Sequence, residues 1–332
     1  MTSDVHPRTD GRGTSAADPP ADRPRTRASG STNAGTVRRS DTPSQPDVSA
    51  DPAARAPAQR AGHDLRAEGL SLAYEARQVI ADLDLHLPRA AITAIVGANG
   101  CGKSTLLRGL ARLLRPTGGG VLLDGRSIST LPARELARTI GILPQGPQAP
   151  EGITVAELVR RGRYPHRSWF QPWDRSDDAA VAEALTATGI VDLAGRRVDE
   201  LSGGQRQRVW IAMALAQEPD VLLLDEPTTF LDVTHQLEIL DLLLELNRER
   251  GATVVMVLHD LNLAARYANH LVVMRAGAVH ATGRPDQVLT EEIIAEAFGL
   301  RARVVPDPVS GGPLVVPIGR FHTTPPDHDL PH

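Results

Sequence analysis

The chain has 332 residues, with 36 Lys and Arg against 40 Asp and Glu for a formal net charge of −4, and a single cysteine. That balance argues against a nucleic-acid binder that works by phosphate neutralisation, and one cysteine excludes a disulfide framework or a thiol-rich metal site. Arg supplies 35 of the basic residues and Lys103 is the only lysine; chance can produce such a bias, but Lys survives where a compact ammonium is needed and a planar guanidinium does not fit.

Residues 1–62 contain 8 Pro, 9 Arg and 7 Asp, no aromatic residue, and only Met1, Val5, Val37 and Val48 as larger aliphatics. Such a segment buries too little apolar surface to offset chain entropy, so a disordered tail is expected. It lacks the apolar stretch of a secretory signal, and its aspartates argue against a transit peptide. From Leu65 the pattern becomes regular. Leu70, Leu72 and Tyr74 alternate, as do Leu83, Leu85 and Leu87, which predicts two half-buried, antiparallel strands. Residues 91–96 form a continuous apolar run, a strand covered on both faces, and Leu106, Leu107, Leu110, Leu113 and Leu114 then fall at helical spacing up to Pro116.

Residues 150–200 break this rhythm with two short helices, 155–161 and 179–188, around a Trp- and Pro-containing loop, and read as a helical insertion. Two further buried strands are predicted at 221–224 and 253–258, with a helix carrying the apolar stripe 237–246 between them. Strands alternating with helices mean a wound, mostly parallel sheet. Val304-Val305 and residues 314–316 flank Ser310-Gly311-Gly312, a hairpin signal. The last dozen residues are polar and Pro-rich, and His322, His328 and His332 are too spread out there to make a metal cluster. No apolar run approaches the roughly 20 residues of a membrane helix. The chain therefore reads as cytoplasmic, reaching any membrane through a partner.

Three motifs carry chemistry. Gly97-Ala98-Asn99-Gly100-Cys101-Gly102-Lys103-Ser104 matches G-x-x-x-x-G-K-[ST], with a buried strand before it and a helix after it, and the loop together with the adjoining Thr105 is the candidate nucleotide-binding set. Its glycines let backbone N–H groups curl around phosphate oxygens at a helix N-terminus. Lys103 is expected to reach the β- and γ-phosphates and Ser104 to coordinate Mg²⁺. Residues 222–224 lead into Asp225 and Glu226: the first suits Mg²⁺ at a strand end, the second a general base for water. Taken alone, such a pair also fits two exposed acids. Leu201-Ser202-Gly203-Gly204-Gln205 contains a Ser-x-x-Gln capping box, which needs neither glycine. Paired glycines weaken a helix start and make sense where phosphate must approach bare backbone.

These motifs, with Gln145 after Leu143-Pro144 and His259 after a buried strand, occur in one order. The combination resembles the nucleotide-binding subunit of ATP-binding-cassette (ABC) transporters, over roughly residues 63–320, with an insertion at about 148–205 and a frayed end at 321–332. The resemblance implies an α/β, P-loop NTPase fold with an antiparallel β subdomain and the cofactors ATP and Mg²⁺. It implies that Tyr74 stacks on adenine and that Gln145 senses Mg²⁺ and the membrane partner. His259 bonds the γ-phosphate, while Ser202, Gly203, Gly204 and Gln205, with Asp232 of Phe230-Leu231-Asp232, serve a head-to-tail second copy. Phe230 stands where the family often has a small residue.

Longer strings, GRYPH at 162–166, DEPTTFLD at 225–232 with His235-Gln236, and LHDLNLAARYA at 258–268, are similar to ATPases of bacterial ferric-siderophore importers. Cobalamin and haem importers are close alternatives, and a soluble ABC protein outside transport a more distant one. The likeness implies a peripheral subunit on the cytoplasmic face of the bacterial plasma membrane, bound to transmembrane permease subunits and served indirectly by a siderophore-binding protein. In such importers the helical insertion docks on the permease, so Arg160, Arg161, Arg163, Tyr164 and His166 either face that partner or form a solvated basic face. The 1–62 segment departs from the family, whose members usually begin near the first strand; it reads as a linker or a mis-assigned start.

Overall fold

The computed structural model describes residues 62–167 and 173–319. All but the last residue of the expected 1–62 tail, the centre of the Trp/Pro loop and the terminal histidines lie outside the described residues.

Alternating Leu residues build the first sheet. Strands β1 (Leu65–Tyr74) and β2 (Arg77–Leu87) pair antiparallel, as predicted, with Leu65 opposite Leu87 and Tyr74 opposite Arg77. A strand not anticipated from sequence, β4 (Gly118–Leu123), pairs with the other edge of β1, and the two-residue β5 (Arg126–Ser127) completes the order β2-β1-β4-β5. Its Gly-Gly-Gly start hides the strand, because glycine carries no pattern and disfavours extended structure on entropy.

The second sheet has six strands. β3 (Ile92–Gly97) pairs in parallel with β8 (Thr253–Val257) and β9 (His270–Arg275). β7 (Val221–Asp225) lies between β8 and β6 (Ile140–Leu143), and β10 (Ala278–Gly283) closes the far edge antiparallel to β9. Every residue of β3, β7 and β8 is buried, which explains why those runs show no alternation in sequence.

Period 2 still divides each strand between two cores. Ala94, Leu222, Leu224 and Met256 face a cluster built with α3 (Val155–Arg160), α4 (Arg175–Ala187), α5 (Gly203–Ala216) and α6 (Val233–Arg250). Ile95, Leu223, Val255 and Val257 face the opposite way, onto α1 (Lys103–Leu110), α2 (Ala133–Thr139) and the first sheet. Truncating any of these leucines to Ala costs about 2–5 kcal/mol. The helix predicted to reach Pro116 is shorter: α1 ends at Leu110, Arg112 turns into the left-handed region at φ 58°, and Leu113 is exposed.

α6 ends where Gly251 adopts φ 66°, the left-handed stop that glycine supplies without strain. After β8, α7 (Leu261–Tyr267) is capped by Asp260. Two short helices, α8 (Pro285–Val288) and α9 (Glu291–Phe298), precede the predicted hairpin, β11 (Ala302–Pro306) and β12 (Pro313–Pro317). Among the described residues no helix is long and apolar enough to cross a membrane.

Candidate active site at the carboxyl ends of the parallel strands

The carboxyl ends of β3, β7 and β8 deliver the motifs to one place, because parallel strands all end on the same edge of the sheet. An open cleft of about 620 Å³ is lined there by Tyr74, Arg77, Val79, Asn99, Gly100, Gly102, Lys103, Ser104, Thr105, Gln145, Glu226 and His259.

The loop from Gly97 to Gly102 forms its floor. Gly102 precedes α1 at φ 105° and offers no side-chain cap, so the first N–H groups of the helix are left for another acceptor. Gly97 is required for packing: a Cβ there would run into the Met274 carbonyl and Cys101 Sγ. Cys101 itself is buried in the apolar cluster beneath the loop, so only its backbone is available to a ligand. Lys103 is buried, and its Nζ donates to the carbonyls of Gly97 (2.9 Å) and Ala98 (3.1 Å). The ammonium thus holds the loop in its curl and projects a cation at the cleft.

Ser104 Oγ donates to Asp225 Oδ1 at 2.9 Å. The other Asp225 oxygen, Oδ2, is buried without a hydrogen-bond partner, and burial pushes this carboxyl upward despite the Ser104 bond. A buried, half-satisfied carboxylate beside a hydroxyl is costly unless a cation completes it. The oxygen donors suit a hard divalent ion such as Mg²⁺.

Glu226 follows in the left-handed region, at φ 55°, a conformation that costs a non-glycine residue on the order of 1 kcal/mol or more. Its Oε1 lies 2.7 Å from His259 Nε2, and its Oε2 accepts a bond from Thr229 Oγ1 at 3.1 Å. Gln145, in the loop after β6, and Tyr74, at the end of β1, complete the wall. Sequence reasoning missed Arg77, Val79, Arg108 and Thr229. Arg108 donates to the Tyr74 hydroxyl at 2.9 Å and so fixes the ring; its place about one turn beyond Ser104, on the helix that follows the loop, is a signal that could have found it. For Arg77 the sequence holds no comparable signal.

The second group of predicted residues does not line this cleft. Ser202 and Gln205 close the capping box of α5 reciprocally, through Gln205 N–H to Ser202 Oγ (3.2 Å) and Ser202 N–H to Gln205 Oε1 (3.1 Å). Gly203 and Gly204 lie against Phe230 and Leu231: a Cβ on Gly203 would meet Phe230 Cβ at 3.4 Å, and one on Gly204 would press on Leu231 Cδ2 at 3.2 Å. Asp232 caps α6 through His235 N–H and also meets His235 Nδ1 at 2.8 Å. Phe230 is exposed and left-handed, at φ 67°.

One expectation for the insertion is overturned. Arg163 does not face outward: it is 5% exposed and bonds Asp177, the Ala216 carbonyl and Glu218. A six-residue 3₁₀ turn, Arg161–His166, winds it inward, and His166 is likewise engaged, by the Gln217 carbonyl at 2.7 Å. Arg160, Arg161 and Tyr164 remain exposed.

A family model described as ABC transporter matches residues 80–229. The chain is 56% identical over 253 residues to the "Probable siderophore transport system ATP-binding protein YusV" of Bacillus subtilis, covering 76% of this chain and 92% of that protein. It is 54% identical over 256 residues to the ferric enterobactin transport ATP-binding protein FepC of Escherichia coli, covering 77% and 94%. Its fold is similar to the dimeric structure of MJ0796, a bacterial ABC transporter cassette, with a TM-score of 0.62, 29% identity and coverage of 67% and 98%.

Proposed function

Since this chain belongs to the ABC transporter family, as an ATP-binding subunit, we propose that it hydrolyses ATP to drive an importer of ferric siderophores across the bacterial cytoplasmic membrane. The observation that carries the reading is the cleft, which gathers Lys103, the Ser104–Asp225 pair and the Glu226–His259 pair in one chain. Relatives named for siderophore and ferric enterobactin transport, both above 50% identity, supply the substrate class.

In this reading Lys103 and the backbone N–H groups of residues 100–105 bind the phosphates, and Tyr74 packs on the base. Asp225 and Ser104, with Gln145 nearby, hold Mg²⁺, which neutralises phosphate charge when bound. Glu226 takes a proton from the attacking water, and His259 turns from Glu226 to the terminal phosphate. Ser202, Gly203, Gly204, Gln205 and Asp232 lie outside their own cleft, which favours service to the cleft of a second copy in a head-to-tail dimer. Closing that dimer on ATP, and releasing it after hydrolysis, provides the differential affinity that moves a partner.

The partner is a pair of permease subunits. A groove of about 270 Å³, lined in part by Leu113, Leu136, Ile142 and Pro165, supports docking of an apolar permease segment beside Tyr164. The chain is then peripheral, on the cytoplasmic face.

The test is uptake of labelled ferric siderophore and labelled cobalamin in cells whose only copy carries Glu226→Gln. The substitution lowers turnover by roughly 10²–10⁴, the share of a general base, and iron uptake should fail while cobalamin uptake persists. Failure of cobalamin uptake alone would transfer the substrate. Survival of both would remove the transport role.

A further inference from the structure

Glu226 is held at both carboxylate oxygens, and one of the two partners has no assigned role. His259 occupies Oε1 at 2.7 Å; Thr229 Oγ1 donates to Oε2 at 3.1 Å. A glutamate's terminal torsion is broad and roughly two-fold, so one partner leaves the carboxylate free to swing while two fix its plane. We propose that Thr229 is a positioning residue for hydrolysis, its hydroxyl keeping the Glu226 carboxylate aimed when His259 is drawn to phosphate. The inference rests on the reading of Glu226 as the general base.

Thr229 is well placed for this because its own backbone is fastened. Its N–H donates to the Glu226 carbonyl at 3.2 Å, closing the turn that starts at the strained Glu226. From α5, Gln207 Nε2 donates to the Pro227 carbonyl at 3.0 Å; from α6, Gln236 Nε2 donates to the carbonyls of Leu231 (3.1 Å) and Thr228 (3.4 Å). The turn is thus pinned to the helix that begins at the paired glycines and to the helix capped by Asp232. A shift of either helix moves the backbone on both sides of Thr229, and its hydroxyl passes that shift to the Glu226 carboxylate, which ties the orientation of the base to the two segments assigned to the second copy.

The experiment is steady-state and single-turnover ATPase kinetics on the full chain, with Thr229→Val, Thr229→Ser, and Thr229→Val combined with Glu226→Gln. Val keeps the β-branched shape and removes the hydroxyl. Losing a hydrogen bond to a charged group predicts a fall in kcat of about 10- to 100-fold, with KM for ATP unchanged, because the contact serves the chemical step and not binding. Ser should restore kcat to within about threefold of wild type, since it retains the donor. In the Glu226→Gln background, Thr229→Val should cost nothing further. Wild-type kcat in Thr229→Val, equal impairment of the Ser and Val variants, or an undiminished loss in the Glu226→Gln background would each overturn the role. Near-wild-type turnover of Glu226→Gln alone would instead sink the general-base reading.

Discussion

Arg163 Nε lies 2.9 Å from Asp177 Oδ1, and both side chains are less than a tenth exposed. The pair locks the 161–166 turn to α4, while Nη1 reaches the Ala216 carbonyl at the end of α5 and Glu218 beyond it, both at 2.8 Å. One guanidinium therefore joins the 161–166 turn, α4 and the end of α5, a task for which the planar five-donor fork is suited and an ammonium is not.

Removing one partner of such a pair leaves an uncompensated buried charge. Arg163→Met should destabilise the chain by about 3–5 kcal/mol, read as a shift in the urea midpoint. KM for ATP should hardly change at temperatures where the variant is folded, because no Arg163 atom lines the cleft. A variant of wild-type stability would show that the pair contributes nothing net.

Gly204 separates a structural from a functional reading of the LSGGQ sequence. A Cβ on Gly204 would sit 3.2 Å from Leu231 Cδ2, a tight contact that the free end of that side chain must relieve by a few tenths of an ångström, while Ala exceeds Gly in helix propensity by up to about 1 kcal/mol. With the two effects opposed, Gly204→Ala should stay close to wild type in thermal midpoint yet lose at least about tenfold in ATP turnover, since a methyl blocks phosphate from bare backbone. Full activity in this variant would return the glycines to a purely structural role.

Lys103 donates to two loop carbonyls from a buried position. Lys103→Arg keeps the charge but replaces three rotatable donors by a planar fork that the curl does not admit. Turnover should fall by roughly 10²-fold or more, and fluorescent-nucleotide titration should reveal weakened binding. Retained affinity would show that charge alone suffices at this position.

His63 ties the two sheets together at their other end, with Nδ1 2.5 Å from Asp124 Oδ2 and Nε2 3.4 Å from Asp220 Oδ2. The bonds to Asp220 and Asp124 outweigh burial and raise its pKa to about 9. Because the folded value lies above the unfolded one, near 6.5, this stabilisation is complete below pH 6.5 and disappears as the pH rises through about 9. The thermal midpoint should fall from pH 6.5 to pH 9.5, and the fall should be visibly smaller in His63→Gln. Parallel curves for the two proteins would exclude His63 as the cause.

Much of the cleft was legible from residues alone because its chemistry is local in sequence. A phosphate loop needs its glycines, lysine and hydroxyl within eight residues, and Asp225 and Glu226 must follow one buried strand directly. The alternation of Leu70 and Leu72 and the unbroken run of β3 likewise encode burial on one face or on two, whereas Tyr74, next in the same alternation, ends exposed at the cleft. Family likeness added the expectation for Tyr74 and Gln145, which no spacing rule connects to the loop.

What escaped the linear reading depends on contacts between distant segments. Arg163 reads as one more basic residue in a basic stretch until the 3₁₀ turn points it at Asp177 and Glu218. Thr229 reads as a loop hydroxyl until the left-handed backbone of Glu226 brings a carboxylate oxygen within its reach. Composition and periodicity determine which residues are buried and which loops can carry phosphate chemistry, since both follow from local sterics and hydrophobicity. Which donor meets which acceptor is set by chain crossings over tens of residues, and those exist only once the two sheets and their helices are packed.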